Sequence, residues 1–186
     1  MNLLNLFCRH PDFRQRLEQS RTRLYRLAYA WCHNAALADD LTQETLEKAL
    51  KKKDQLRDPA ALETWLFSIL TNCWRDHFRR SRDMLDIDDL PLEHSVTPEL
   101  EHQQHQIVHA VRDAITQLPV GQRQVLTLVD LEDCSYIEVA HILGVPVGTV
   151  MSRLCRARRA LKEALLDSNV VPQESTTPIQ RIWRIK

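Results

Sequence analysis

YIEVAHILGVPVGTVMSRLCRARRAL, residues Tyr136 to Leu161, decides how this chain reads. It predicts two helices around a tight turn. The first carries Ile137, Ala140, Ile142 and Leu143 at helical spacing. Gly144 ends it, because glycine enters the left-handed conformation that a helix end often needs. Pro146 suits the first turn of the next helix, where the missing N–H costs little. That second helix divides by face. Val147, Val150, Leu154, Ala157 and Leu161 share one side; Gly148, Ser152, Cys155 and Arg159 share the other, with Met151 and Arg156 on its flanks. A packed back and a small, polar, arginine-bearing front suit a helix that enters a DNA major groove.

Working outward, the chain has 186 residues, 44% of them hydrophobic and only three of them glycine. This length suits one or two small domains. No sustained alternation of apolar and polar residues occurs, so the expected fold is all-α. The net formal charge is zero, but its distribution is uneven. Residues 1–82 hold 15 Lys/Arg against 10 Asp/Glu, and residues 83–118 hold only Arg112 against eight acids. Residues 119–166 hold six basic residues against five acids. Two basic blocks therefore flank an acidic connector. The five cysteines, 8, 32, 73, 134 and 155, are scattered without a CxxC pair, the pattern of reduced thiols in a cytoplasmic protein. No stretch has the length of an apolar membrane span, and the start, Met1 to Cys8, lacks the basic region of a signal peptide.

These shifts divide the chain into a domain over 1–82, an acidic linker over 83–98, a helix-turn-helix domain over 99–166 and a tail over 167–186. In the first domain Leu24, Leu27, Ala28 and Trp31 form one stripe. A helix over 37–52 points Leu41, Thr45, Leu46, Ala49 and Leu50 inward, with Asp39, Asp40, Gln43, Glu44 and Glu47 on its far side. After a loop at 54–61, in which Pro59 biases Asp58 toward extended geometry, a helix over 61–80 carries Leu62, Trp65, Leu66, Ile69, Leu70 and Cys73 on its apolar face. Phe67, Trp74 and Phe78 are expected on another face, beside Arg75, Arg79, Arg80 and Arg82; exposed aromatics among arginines suit single-stranded nucleic acid. Thr97-Pro98 marks a helix start, Pro119 a break, and Val125, Leu126, Leu128, Val129 and Leu131 a short helix. His102, His105 and His109 form a stripe with metal-ligand spacing that a solvated helix face explains as well. The tail ends in alternating apolar and basic residues, Ile179 to Lys186. No phosphate-cradling glycine loop, HExxH motif or nucleophile–base pair is present, so a non-enzyme without cofactor or metal is expected.

Three stretches carry a family resemblance. They are Ala38-Asp39-Asp40-Leu41-Thr42-Gln43-Glu44-Thr45-Leu46; Thr64-Trp65-Leu66-Phe67-Ser68-Ile69-Leu70-Thr71-Asn72 followed by Asp76 and Arg79-Arg80; and Leu118-Pro119-x-x-x-Arg123 with Gly144-x-Pro146-x-Gly148-Thr149-Val150-x-Ser152-Arg153-Leu154-x-Arg156-Ala157-Arg158. In this order and spacing they resemble an extracytoplasmic-function sigma factor of bacterial RNA polymerase, over roughly residues 13 to 166. The resemblance implies two small helical domains joined by a flexible acidic linker, acting with core RNA polymerase on promoter DNA. It places core-enzyme docking at Asp39, Asp40, Gln43 and Glu44. Contacts to the −10 element fall on Asp58, Ala60, Asn72, Arg75, Arg79 and Arg80, the loop 56–62 and Asn72 capturing a base from the melted strand. Contacts to the −35 element fall on Gly148, Met151, Ser152, Cys155, Arg156 and Arg159. The family commonly has a basic residue where this chain has Met151, so that contact is apolar or lost here. By the same resemblance the acidic linker threads a basic channel, and an anti-sigma factor, often membrane-bound, restrains the protein. The competing readings are a dimeric helix-turn-helix repressor and a metal- or redox-sensing signalling protein.

Overall fold

The computed structural model describes residues 10–84 and 104–167, with side chains described over 13–80 and 110–166. All regular structure among these residues is helical, and the chain divides into two units, Met1–Leu90 and Pro91–Lys186. The connector beyond Met84, the Thr97-Pro98 helix start, His102, Cys8 and residues 168–186 lie outside the described residues, as do the side chains of His105 and His109. Among the described residues no single helix is long and apolar enough to cross a membrane.

The first unit is built from α1 (His10–Cys32), α2 (Ala35–Lys51) and α3 (Leu62–Met84), each packed on the other two. The α1–α2 link is two residues long. His33 takes a left-handed backbone (φ 51°) and returns its N–H to the Tyr29 carbonyl at 2.8 Å. Asn34 then caps α2 by accepting the Leu37 N–H at 2.9 Å. Lys48 and Lys51 occupy the last turn of α2, where cations offset the helix dipole. Leu24, Leu27, Ala28 and Trp31 are buried as the periodicity predicts, as are Leu41 and Ala49 of α2 and Leu66 and Leu70 of α3. Three threonines also lie in this core. The hydroxyls of Thr42, Thr45 and Thr71 donate to the carbonyls one turn back, of Ala38, Leu41 and Phe67, at 2.7, 2.7 and 2.8 Å. Each buried hydroxyl thereby keeps a partner inside its own helix.

Three expectations are corrected here. Phe67 is not an exposed stacking surface but fully buried. Trp65 is half-buried rather than core, and Leu50 is exposed. The reason is geometric. A helix wedged against two neighbours buries a wider arc than a single amphipathic stripe, and α3 turns Leu66, Phe67, Leu70, Thr71 and Cys73 all inward.

The second unit contains α4 (Gln104–Thr116), α5 (Val120–Leu126), a wider π turn over Thr127–Leu131, α6 (Tyr136–Leu143) and α7 (Val147–Asp167). Pro119 breaks the chain after Leu118 as expected. Arg123, only 6% exposed, reaches back so that Nη2 donates to the carbonyls of Thr116 at 2.6 Å and Leu118 at 3.0 Å. It thus serves carbonyls that the end of α4 leaves without helical donors. Ser135 and Glu138 form a reciprocal cap at the start of α6. Gly144 ends α6 in the left-handed region (φ 60°, ψ 41°), and the following N–H of Val145 closes onto the Ala140 carbonyl at 3.0 Å.

Ile137, expected on the packed side of α6, is 74% exposed; Val139, Ile142 and Leu143 are buried instead. Two residues separate Ile137 from Val139, a rotation of about 200° on a helix, so both cannot face the core. Leu131 is also exposed, at the end of the π turn, and Val147 is exposed at the first position of α7.

Phe67 is expected to matter more for folding than for any external contact. Phe67→Ala is predicted to lower the denaturant stability of the first unit by about 3–5 kcal/mol, read from the midpoint of its unfolding transition; a loss below about 1 kcal/mol would contradict the buried placement.

Candidate nucleic-acid interface

On α7 the two faces separate as the sequence predicts. Val150, Leu154, Ala157 and Leu161 are buried. Gly148, Met151, Ser152, Cys155, Arg156 and Arg159 are all exposed, so the structure brings the six expected −35 residues onto one outward surface. A Cβ added at Gly148 would meet nothing within 4 Å, so no internal packing demands a glycine there. Arg156 lies back along the helix, its Nε donating to the Ser152 carbonyl at 3.2 Å and Nη2 to the Ser152 hydroxyl at 3.4 Å. The Arg159–Glu163 approach of 4.0 Å joins two exposed side chains and holds neither firmly.

The mount of α7 uses a partner distant in sequence. Arg158 donates from Nε to Asp130 Oδ2 at 3.1 Å and from Nη2 to Asp130 Oδ1, a two-pronged pair. The Asp130 side chain is only 4% exposed, and its hydrogen bond holds the Arg158 guanidinium still more firmly charged. Arg153 lays its guanidinium against Gly121, where an added Cβ would meet Cζ at 3.2 Å. Of the arginines in this segment, Arg153 and Arg158 therefore face other helices of the unit, whereas Arg156 and Arg159 face outward. Sequence periodicity already sets Arg156 and Arg159 on the outer face; it does not give the partner of Arg158, because nothing local names Asp130.

On the first unit, Asn72, Arg75 and Arg79 recur at i, i+3 and i+7 of α3 and are exposed, with Arg80 beside them. The α2–α3 connection is made of two short 3₁₀ turns, Lys53–Gln55 and Pro59–Ala61. Asp58 is extended (φ −115°, ψ 114°), as a residue before proline should be, and its Oδ1 accepts the Ala60 N–H at 2.9 Å. Asp58 and Ala60 are exposed. Of the aromatics expected to offer stacking surface, only Phe78 is exposed; Trp74 is half-buried between Phe78 (centroids 4.4 Å apart) and the edge of Trp31 (6.5 Å).

The acidic face of α2 is outward at Asp39, Asp40 and Gln43, whereas Glu44 is half-buried. Asp39 lies 3.7 Å from Arg21. Glu44 joins the two candidate surfaces of this unit. It pairs with Lys48 at 2.9 Å and Arg80 at 3.8 Å, while Asp76 sits 3.8 Å from Lys48 and 3.3 Å from Arg79. The Glu44 hydrogen bond raises the Lys48 ammonium above its ordinary range. Burial pushes the Cys73 thiol up, which keeps it protonated and unreactive. Cys32, Cys73 and Cys134 are buried, and Cys155 is exposed.

The geometry defines a two-unit helical protein whose second unit carries a helix-turn-helix with an outward recognition helix. Residues 17–83 match the sigma-70 region 2 family and residues 109–161 the sigma-70 region 4 family. The ECF RNA polymerase sigma factor EcfG of Rhodopseudomonas palustris is 40% identical over 137 residues, covering 71% of this chain and 73% of that protein. SigE of Mycolicibacterium smegmatis is 35% identical over 161 residues; the match covers 83% of this chain but 62% of that relative's length. Among solved structures, the sigma factor RpoE in complex with the anti-sigma factor NepR, from Bartonella quintana, superposes with a TM-score of 0.66 at 31% identity, covering 83% of this chain and 97% of that one. CnrH in complex with the cytosolic domain of CnrY gives 0.59 at 26% identity, covering 87% and 92%. The chain belongs to the extracytoplasmic-function sigma factors of the sigma-70 family.

Asp130 is expected to be a stability determinant of the second unit although it lies outside the recognition helix. Asp130→Ala is predicted to cost about 1.5–3 kcal/mol, measured by urea unfolding of the full chain; an unchanged midpoint would show that Arg158 needs no partner.

Proposed function

We propose that this protein is a specificity subunit of bacterial RNA polymerase that directs the core enzyme to particular promoters and helps open the −10 element. The observation that carries the reading is α7, whose back is sealed while Gly148, Met151, Ser152, Cys155, Arg156 and Arg159 stand outward together. In this reading the helix lies in the major groove of the −35 duplex. Small residues admit the backbone to base edges, and Arg156 and Arg159 donate to guanine or phosphate. Met151 presents an apolar contact.

The first domain, residues 1–82, docks on core polymerase through Asp39, Asp40, Gln43 and Glu44, acids whose sign suits a basic partner. Asp58, Ala60, Asn72, Arg75, Arg79 and Arg80 attend the −10 strand, and the exposed turn at 58–61 receives a base pulled from the stack. The acidic residues of the 83–98 linker suit a basic channel of the enzyme. The protein acts in the cytoplasm by binding and leaves the chemistry to the core enzyme. RpoE and CnrH were solved with anti-sigma proteins, and by that likeness an anti-sigma factor restrains this chain too.

Transcription from a cognate promoter by purified core polymerase, with and without the chain, tests the whole reading; no promoter-specific transcript under any promoter selection would end it. Arg156→Ala is predicted to weaken −35 duplex binding by the holoenzyme by about 1–3 kcal/mol, seen as a shift of the binding midpoint. Replacing Asp40 and Gln43 together by Arg is predicted to abolish co-purification with core enzyme while the helical circular-dichroism signal stays unchanged; undiminished co-purification would remove the docking face from α2.

A further inference from the structure

Three side chains on one face of α1 reach across to the start of α3. Arg16, Ser20 and Arg23 stand at i, i+4 and i+7. Arg16 Nη2 donates to the backbone carbonyl of Pro59 at 2.6 Å. The buried Ser20 hydroxyl lies 3.1 Å from Glu63 Oε1 and 3.0 Å from the Arg16 carbonyl, two acceptors for one proton. Arg23 Nη1 lies 3.5 Å from Glu63 Oε2, and its guanidinium sits 5.5 Å from the centroid of Phe67. Ser20 and Arg23 thus clamp the first turn of α3, and Arg16 holds the turn just before it.

That preceding turn is thinly anchored. Asp58, Pro59, Ala60 and Ala61 are all exposed. Its internal contacts, Asp58 Oδ1 to the Ala60 N–H and the Asp58 carbonyl to the Ala61 N–H at 3.1 Å, give it a shape but tie it to no other helix. A segment without buried apolar groups opens at low free-energy cost unless polar contacts restrain it. Arg16 supplies such a contact from a rigid helix. Its own neighbours Leu17 and Leu24 are buried, so α1 stays packed whether or not the guanidinium is present.

We propose that Arg16 is a positioning residue for the Asp58–Ala61 turn, holding it in the geometry that receives an unpaired promoter base and thereby setting base selectivity more than overall affinity. The inference rests on the −10 reading of the turn. Extrusion of a base is costly, and the discrimination recovered in the receiving pocket depends on its polar groups being in register. A carbonyl held at hydrogen-bond distance by an arginine of the neighbouring helix α1 fixes that register; a loose turn accepts several bases comparably.

The test uses holoenzyme reconstituted from the full chain and core polymerase, with single-stranded −10 oligonucleotides carrying each base at each position. Arg16→Ala is expected to reduce discrimination at one −10 position by about 10-fold, the scale on which the loss of one hydrogen bond from a charged donor acts, while core binding, −35 duplex binding and the thermal midpoint hold. Arg16→Lys keeps a donor and is expected to recover part of the selectivity. Selectivity equal to wild type in Arg16→Ala overturns the proposal. So does a uniform loss of affinity across all bases, which marks Arg16 as a plain cationic contact, and so does a folded, core-bound Arg16→Lys that selects no better than alanine. If the wild-type holoenzyme itself ignores −10 bases, the reading of the turn has failed and the proposal falls with it, an outcome distinct from the other three.

Discussion

Both surfaces that suit nucleic acid are the outer faces of helices held only from behind. α3 is anchored by Leu62, Leu66, Phe67, Leu70 and Cys73, and α7 by Val150, Leu154, Ala157 and Leu161, all buried. In a folded protein most of a helix's stability comes from packing its apolar face. Each large buried side chain contributes on the order of 1.5–3 kcal/mol, so the back of the helix sustains a front chosen for other purposes. This constraint explains why the outward face of α7 tolerates glycine, serine and cysteine in succession. None of them is asked to stabilise the fold.

Charge is divided by the same logic. On the second unit Arg123 and Arg153 lie against helix-end carbonyls and the Gly121 backbone, and the half-exposed Arg158 pairs with Asp130, while Arg156 and Arg159 remain outward. On the first unit Arg16 and Arg23 are turned toward Pro59 and Glu63. The Glu44–Lys48–Asp76–Arg79–Arg80 cluster spans the acidic face of α2 and the basic face of α3. Its members are partly exposed, and such pairs are worth about 0–1 kcal/mol each. Glu44 and Arg80 therefore link the two candidate surfaces of this unit.

The helices, the break at Pro119, the turn at Gly144 and the split faces of α7 were legible in the chain because each depends on local spacing or on one residue's backbone preference. The family followed from motifs quoted residue by residue. Misplacements arose where burial depends on how many neighbours a helix has. Phe67 looked peripheral to a single stripe, and it is core because α3 faces both α1 and α2. Ile137 looked like part of the α6 stripe, and it is exposed because Val139, Ile142 and Leu143 define that stripe without it.

Helical content, the helix-turn-helix and the residues on the outer face of α7 are written into local sequence, since periodicity and caps act over a few residues. The partners of the structural arginines, the covering of Phe67, and the bracing of the turn before α3 by Arg16 of α1 arise from packing between helices. The pairs that matter most here are far apart in sequence, Asp130 with Arg158 by 28 positions and Arg16 with Pro59 by 43. No local rule encodes such pairs; packing three or four helices around a common core brings them together.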